Sequence, residues 1–165
     1  MHDNLIIHRD LKLANLFLTE TMQLKIGDFG LAAQLNSADE IEHILCGTPN
    51  YIAPEILNAD GHSFPVDVWA IGVTMYTLLI GTPPFESTTI KNTYKNIKKN
   101  NYSFPPEYGI TNTARDLVSK ILVTDPAKRL TVVEIMEQPF FKLYNSSLTF
   151  CSPTLSKYAA SFEKE

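Results

Sequence analysis

The sequence predicts a mainly α-helical fold with one small β-hairpin. Three features point there. The stretch Val66–Ile80 is apolar, interrupted by Asp67, Thr74 and Thr77, and it stops at Gly81 with Pro83-Pro84 beyond, the punctuation of a helix end. Leu16-Phe17-Leu18-Thr19 and Gln23-Leu24-Lys25-Ile26 are short apolar-polar runs split by Glu20-Thr21-Met22, the pattern of a hairpin. Thr113 and Thr131 stand ahead of further helical segments as N-caps, and Glu134 gives Thr131 the spacing of a capping box.

Taken in chain order, the hairpin comes first. Asp10 and Asn15 precede it and Asp28 follows it, so closing the hairpin draws these positions together. From Gly30 to Pro54 the pattern is irregular around Gly47, Pro49 and Pro54, too long for a passive connection and read as a functional loop. Val66–Ile80 is apolar nearly all round yet short of the roughly 18 apolar residues of a membrane span. It reads as a buried central helix. A cationic helix is expected over Thr89–Lys99, with Lys91, Lys95, Lys98 and Lys99 on one face. After a loop containing Pro105, Pro106 and Gly109, helices are expected over Thr113–Leu122 and Thr131–Gln138. The Tyr and Phe residues over 140–150 read as packing residues. The tail from Asn145 to Glu165 mixes Ser, Thr and Pro with scattered apolar residues and is expected to attach loosely.

Composition bounds the function. At 165 residues, 44% hydrophobic and 19% charged, the chain fits one domain or a large lobe with its own core. A net charge of −4 and a pI near 5.5 exclude the basic footprint of a nucleic-acid binder. The start, Met1-His2-Asp3-Asn4-Leu5, has neither the basic residues nor the apolar run of a signal peptide. Cys46 and Cys151 share no metal-ligand spacing, so a reducing, intracellular setting is expected. Neither a membrane nor a nucleic-acid partner is expected.

The chemistry lies in the segment His8-Arg9-Asp10-Leu11-Lys12-Leu13-Ala14-Asn15, followed by Asp28-Phe29-Gly30 and Ala53-Pro54-Glu55. Two carboxylates and an amide on neighbouring loops can hold a divalent ion and aim a hydroxyl at a phosphate. Such chemistry needs positioning and charge neutralisation more than covalent help. The segments match, in order, the patterns H-R-D-L-x-x-x-N, D-F-G and A-P-E.

The chain therefore resembles the eukaryotic protein kinases over about Asn4–Tyr144. The resemblance implies residues 1–144 as the C-terminal lobe of a kinase domain and 145–165 as a tail. It implies ATP and Mg2+ as cofactors and proteins with Ser/Thr acceptors as substrates. Asp10 would orient the substrate hydroxyl and accept its proton, with Lys12 beside the transferring phosphate. Lys12, two residues after Asp10, and Thr48 follow the serine/threonine pattern. Asn15 and Asp28 would hold the metal through hard oxygen atoms, and Phe17 would form the floor under the adenine. Arg9, Ile44 and Thr48 belong to the activation machinery. Glu55 would pair with Arg129, and Asp67 would anchor the catalytic-loop backbone. The runs Asp10–Leu18, Leu45–Glu55, Gly61–Phe64, Met75–Leu79 and Thr93–Lys99 are similar to Polo-like kinases, which implies a cell-cycle role in cytoplasm or nucleus, with centrosome or spindle as sites.

Three departures from that pattern shape the expectation. The chain begins nine residues before Asp10, so no glycine-rich loop or V-A-I-K lysine occurs in it. The usual phosphorylatable threonine is Ile44, which cannot accept the phosphate that Arg9 would bind. The tail is too short for a phosphopeptide-binding domain. The expectation is thus a partial catalytic domain, inactive alone unless a separate N-terminal lobe or regulator completes it. The alternative is a non-catalytic interaction module derived from a kinase. His8 reads as packed rather than chemical, Cys46 as unreactive, and the four lysines as a solvated face, with contact to an acidic substrate as the sharper alternative.

Overall fold

Around one central helix the chain winds its remaining elements, and the computed structural model describes residues 1–142. The strands are β1 (Ile6–Ile7), β2 (Leu16–Leu18), β3 (Leu24–Ile26) and β4 (Ala33–Gln34). The helices are α1 (Pro54–Asn58), α2 (Pro65–Ile80), α3 (Ile90–Lys98), α4 (Asn112–Ile121), α5 (Val132–Met136) and α6 (Pro139–Lys142). Short 3-10 turns cover His2–Asn4, Leu13–Asn15, Pro106–Tyr108 and Pro126–Lys128. The expected tail, 145–165, lies outside the described residues.

Helix α2 forms for reasons visible along it. Pro65 sits in its first turn, where the missing N–H costs nothing. Gly81 ends it in the left-handed region at φ 96°, its N–H donating to the Thr77 carbonyl at 2.8 Å, a conformation that suits a residue without Cβ. Trp69 and Val73 are fully buried along it, and Trp69 stacks on Phe85 at 5.4 Å. Packing on α4 is close because Gly72 faces Ile121 and Leu122. Two apolar clusters result: one runs from Ile7 through Trp69 to Ile97, and a smaller one joins Val68, Leu117, Ile121 and Ile135.

Three sequence expectations are corrected. Besides the hairpin β2–β3, a second antiparallel pair joins β1 to β4, Ile6 opposite Gln34 and Ile7 opposite Ala33. Two-residue strands carry no alternation to read. Helix α4 is capped by Thr111, whose hydroxyl accepts from the Ala114 N–H at 3.3 Å, so Thr113 is already helical. Helices α1 and α6, four or five residues long, went unread because each is shorter than two turns. The Thr131–Glu134 capping box forms at the head of α5, with the Thr131 N–H donating to Glu134 at 2.7 Å.

Candidate active site

The segment after β1 is fastened from beneath by α2. Asp67, 1% exposed in the first turn of α2, accepts from the backbone N–H of His8 and of Arg9, each at 2.9 Å. The His2 ring meets the same carboxylate at 2.9 Å. Arg9 adopts φ 65° there, a strained conformation for a residue with a side chain, which these bonds hold in place. The fully buried His8 lies 3.0 Å from the Gly27 carbonyl through Nε2 and tilts against Phe29 at 4.9 Å. His8 thus joins the loop before the hairpin to the loop after it.

Asp10 is the centre of the polar network. One carboxylate oxygen accepts from the Thr48 N–H at 3.0 Å and from the Thr48 hydroxyl at 2.6 Å. The other accepts from Lys12 Nζ at 2.6 Å. Lys12 also donates to the Thr48 hydroxyl at 2.9 Å. Burial pushes the Asp10 carboxyl up, but the hydrogen bonds from Lys12 and Thr48 outweigh it and hold the group below its ordinary value. Asp10 therefore stays ionised and accepting at neutral pH.

Asn15 is buried and donates to the Asp10 carbonyl at 2.9 Å. The Gly27 N–H donates to the Asn15 carbonyl at 2.9 Å, which closes the open end of the β2–β3 hairpin. Asp28, next in the chain, is exposed at φ 60°, with Oδ1 accepting from the Gly30 N–H at 3.3 Å. The hairpin thus delivers Asn15 and Asp28 to the same end, with Asp10 bonded to Asn15. Phe17 lies 54% exposed on the hairpin with its ring against Gly27, where a Cβ would meet it at 2.7 Å.

Away from this centre, Glu55 in α1 and Arg129 form a bidentate pair at 2.9 and 3.1 Å. Arg129 also donates to the carbonyls of Pro65 and Val123 and lies over the Trp69 ring at 5.1 Å. Ile44 is 56% exposed, and the Arg9 side chain turns to Leu31 and Glu42.

A family model for the protein kinase domain matches residues 1–141. The chain belongs to the protein kinase family. It is similar to the serine/threonine-protein kinase PLK1 of Xenopus laevis, 53% identical over 86% of this chain and 23% of that protein. It is 51% identical to the serine/threonine-protein kinase polo of Drosophila melanogaster, over 86% of this chain and 24% of that protein. A probable serine/threonine-protein kinase of Zea mays, CCRP1, is 49% identical over 94% of this chain and 26% of that protein. The kinase likeness is thus to the Polo-like branch, and the chain spans about a quarter of the length of these relatives.

Two contacts around this network were not read in the sequence. The Glu42 carboxylate takes up Arg9 from 33 residues away, and His2 reaches Asp67 from 65 away. Neither has a local pattern; only the tertiary fold brings them in. No helix among the described residues is long and apolar enough to cross a membrane.

Proposed function

We propose that this chain carries the phosphate-transfer half of a Polo-like serine/threonine protein kinase, its C-terminal lobe over residues 1–144. The reaction moves the γ-phosphate of Mg·ATP to a Ser or Thr hydroxyl of a protein. The observation that carries the reading is the Asp10 carboxylate, ionised and fixed by Thr48 and Lys12 beside Asn15.

Asp10 would orient the acceptor hydroxyl and take its proton as the new oxygen–phosphorus bond forms and the bond to ADP breaks. Lys12 would stabilise charge on the moving phosphate. The donor set fits magnesium. Asn15 spends its side-chain amide N–H on the Asp10 carbonyl, and its side-chain Oδ1 makes no hydrogen bond among the described residues. Asp28 is exposed with only Gly30 as neighbour to one oxygen. Hard oxygen atoms of this kind are what magnesium takes, and the ion would neutralise phosphate charge when bound. Phe17, exposed on the hairpin, would underlie the adenine. Protein substrates, a separate N-terminal lobe or regulator, and a setting in cytoplasm or nucleus, at centrosome or spindle, follow from the Polo likeness.

The test joins the nucleotide-gripping half of a Polo relative to this chain and follows labelled phosphate from Mg·ATP to casein. Asp10→Asn is expected to slow transfer about 10²–10⁴-fold. In the 165-residue chain, Mn2+ added with ATP is expected to broaden the amide NMR signals of Asn15 and Asp28 first. An Asp10→Asn chimera as fast as its parent, or Mn2+ settling elsewhere, refutes the reading.

A further inference from the structure

The irregular segment after β4 holds one side chain at odds with its surroundings. Glu42 is half-buried, whereas Ile41, His43, Ile44 and Leu45 around it are exposed. Its backbone exchanges two 2.8 Å hydrogen bonds with His62 in an isolated antiparallel bridge. Successive residues of an extended chain point to opposite sides. Ile41 and His43 both lie on Gly61, where a Cβ would overlap them. Glu42, between them, reaches the other way, to the Arg9 guanidinium at 3.3 Å.

Arg9 has a physical need for that carboxylate. Its side chain is 8% exposed, and a cation so far out of water is costly unless paired. Glu42 is its one ion-pair partner among the described residues. Arg9 meets the same segment at two further places. Its Nε donates to the Leu31 carbonyl at 2.6 Å, and its own carbonyl lies where a Cβ on Gly47 would meet it at 3.1 Å. Thr48 follows Gly47, and Asp10 follows Arg9. The Thr48 N–H and hydroxyl both donate to the Asp10 carboxylate.

We propose that Glu42 is a positioning residue for phosphate transfer: as the fixed counter-charge of Arg9, it seats Gly47-Thr48 against Asp10 with no group added to the segment. A side-chain carboxylate, unlike a phosphate ester, is not put on and taken off. Between Asn36 and Gly47 the one hydroxyl is that of Ser37, five residues from Glu42. The latch is therefore permanent rather than switched. This role rests on the kinase reading and adds how its site is held in the working arrangement.

Two measurements test it, one on the 165-residue chain and one on the chimera with the nucleotide-gripping half. In the chain, Glu42→Gln is expected to speed amide exchange at Thr48 about tenfold, with α2 unchanged, because the N–H that donates to Asp10 is then closed less often. In the chimera, prior treatment with phosphatase is expected to leave the rate of transfer from Mg·ATP to casein as it was. Glu42→Gln is expected to lower kcat about tenfold with the KM for ATP unchanged, the pattern of a loss felt in the transition state. The same substitution is expected to cost nothing more once Arg9 is replaced by Gln, since its action runs through that residue. A side chain that only supports the fold would cost the same in both backgrounds. Unchanged exchange at Thr48, a chimera silenced by phosphatase, or an equal loss with and without Arg9 overturns the proposal. A parent chimera that transfers no phosphate refutes the kinase reading instead, and exchange at Thr48 still decides the role of Glu42.

Discussion

The Arg9 guanidinium lies 3.3 Å from the Glu42 carboxylate and donates through Nε to the Leu31 carbonyl at 2.6 Å. One side chain thus ties the segment after β1 to Leu31, just before β4, and to Glu42, between β4 and Thr48. Glu42 is itself pinned, because its backbone exchanges two 2.8 Å hydrogen bonds with the buried His62. Where a phosphate at position 44 would supply negative charge for Arg9, this chain has Ile44 and a carboxylate two residues earlier.

Replacing Glu42 by Gln keeps the backbone bridge and removes the charge. The pair is partly buried, at 8% and 22% side-chain exposure, so the loss is expected near 1.5 kcal/mol. That corresponds to roughly tenfold faster amide exchange over Leu31–Leu45, with exchange in α2 unchanged. Exchange that stays at the wild-type rate would show that Glu42 does not hold the segment.

The Glu55–Arg129 pair is a larger commitment, since its side chains are 5% and 0% exposed. Arg129→Ala strands a buried carboxylate and is expected to cost about 3–5 kcal/mol in urea unfolding. Arg129→Lys is expected to recover less than half of that. A lysine cannot span Glu55, the Pro65 and Val123 carbonyls and the Trp69 face at once. A lysine variant as stable as the wild type would mean the forked geometry is irrelevant.

How much of this was legible beforehand depended on the distance over which each signal acts. Helix α2 was readable because its apolar run, Val66–Ile80, and its stop signal, Gly81 with Pro83-Pro84 beyond, are both local. The hairpin was readable because two short apolar-polar runs, Leu16–Thr19 and Gln23–Ile26, flank a turn of three residues. The β1–β4 pair was not, because Ile6 and Gln34 are 28 residues apart and two residues show no period. The motif residues were legible as types in order, and the structure adds that Asp10, Lys12, Asn15 and Thr48 share one network. Glu42 and His2 were invisible, since a lone acid or histidine in sequence announces no partner.

Gly72 separates two opposed effects. Alanine in the middle of a helix gains about 1 kcal/mol over glycine. Here its Cβ would meet Ile121 at 2.6 Å and Leu122 at 2.8 Å. Both neighbours are fully buried and have no room to retreat, and overpacking of this kind costs about 1–3 kcal/mol. Gly72→Ala is therefore expected to destabilise by about 1 kcal/mol net, with partial rescue when Ile121→Val is added. A Gly72→Ala protein more stable than wild type would mean that α2 and α4 separate without cost.

The last prediction concerns pH and His62. Burial lowers the pKa of His62 below its ordinary 6.5, and the charge of Arg9 lowers it further, against the pull of Glu42 and Glu55. Its ring Nε2 is buried without a hydrogen-bond partner, so a proton there gains nothing. The unfolded chain then binds that proton more readily than the folded one. Stability is full above about pH 6.5 and falls as pH drops below it, down to the depressed folded value. The sign is the reverse of that for a histidine stabilised by a partner. Urea unfolding at about pH 7.5 and about pH 5.5 reads the difference, and His62→Phe removes the titrating group while keeping a ring in the cavity. The wild-type chain is expected to lose more stability over that interval than the variant does. Parallel losses in the two proteins would show that other groups set the acid limit and that His62 is silent.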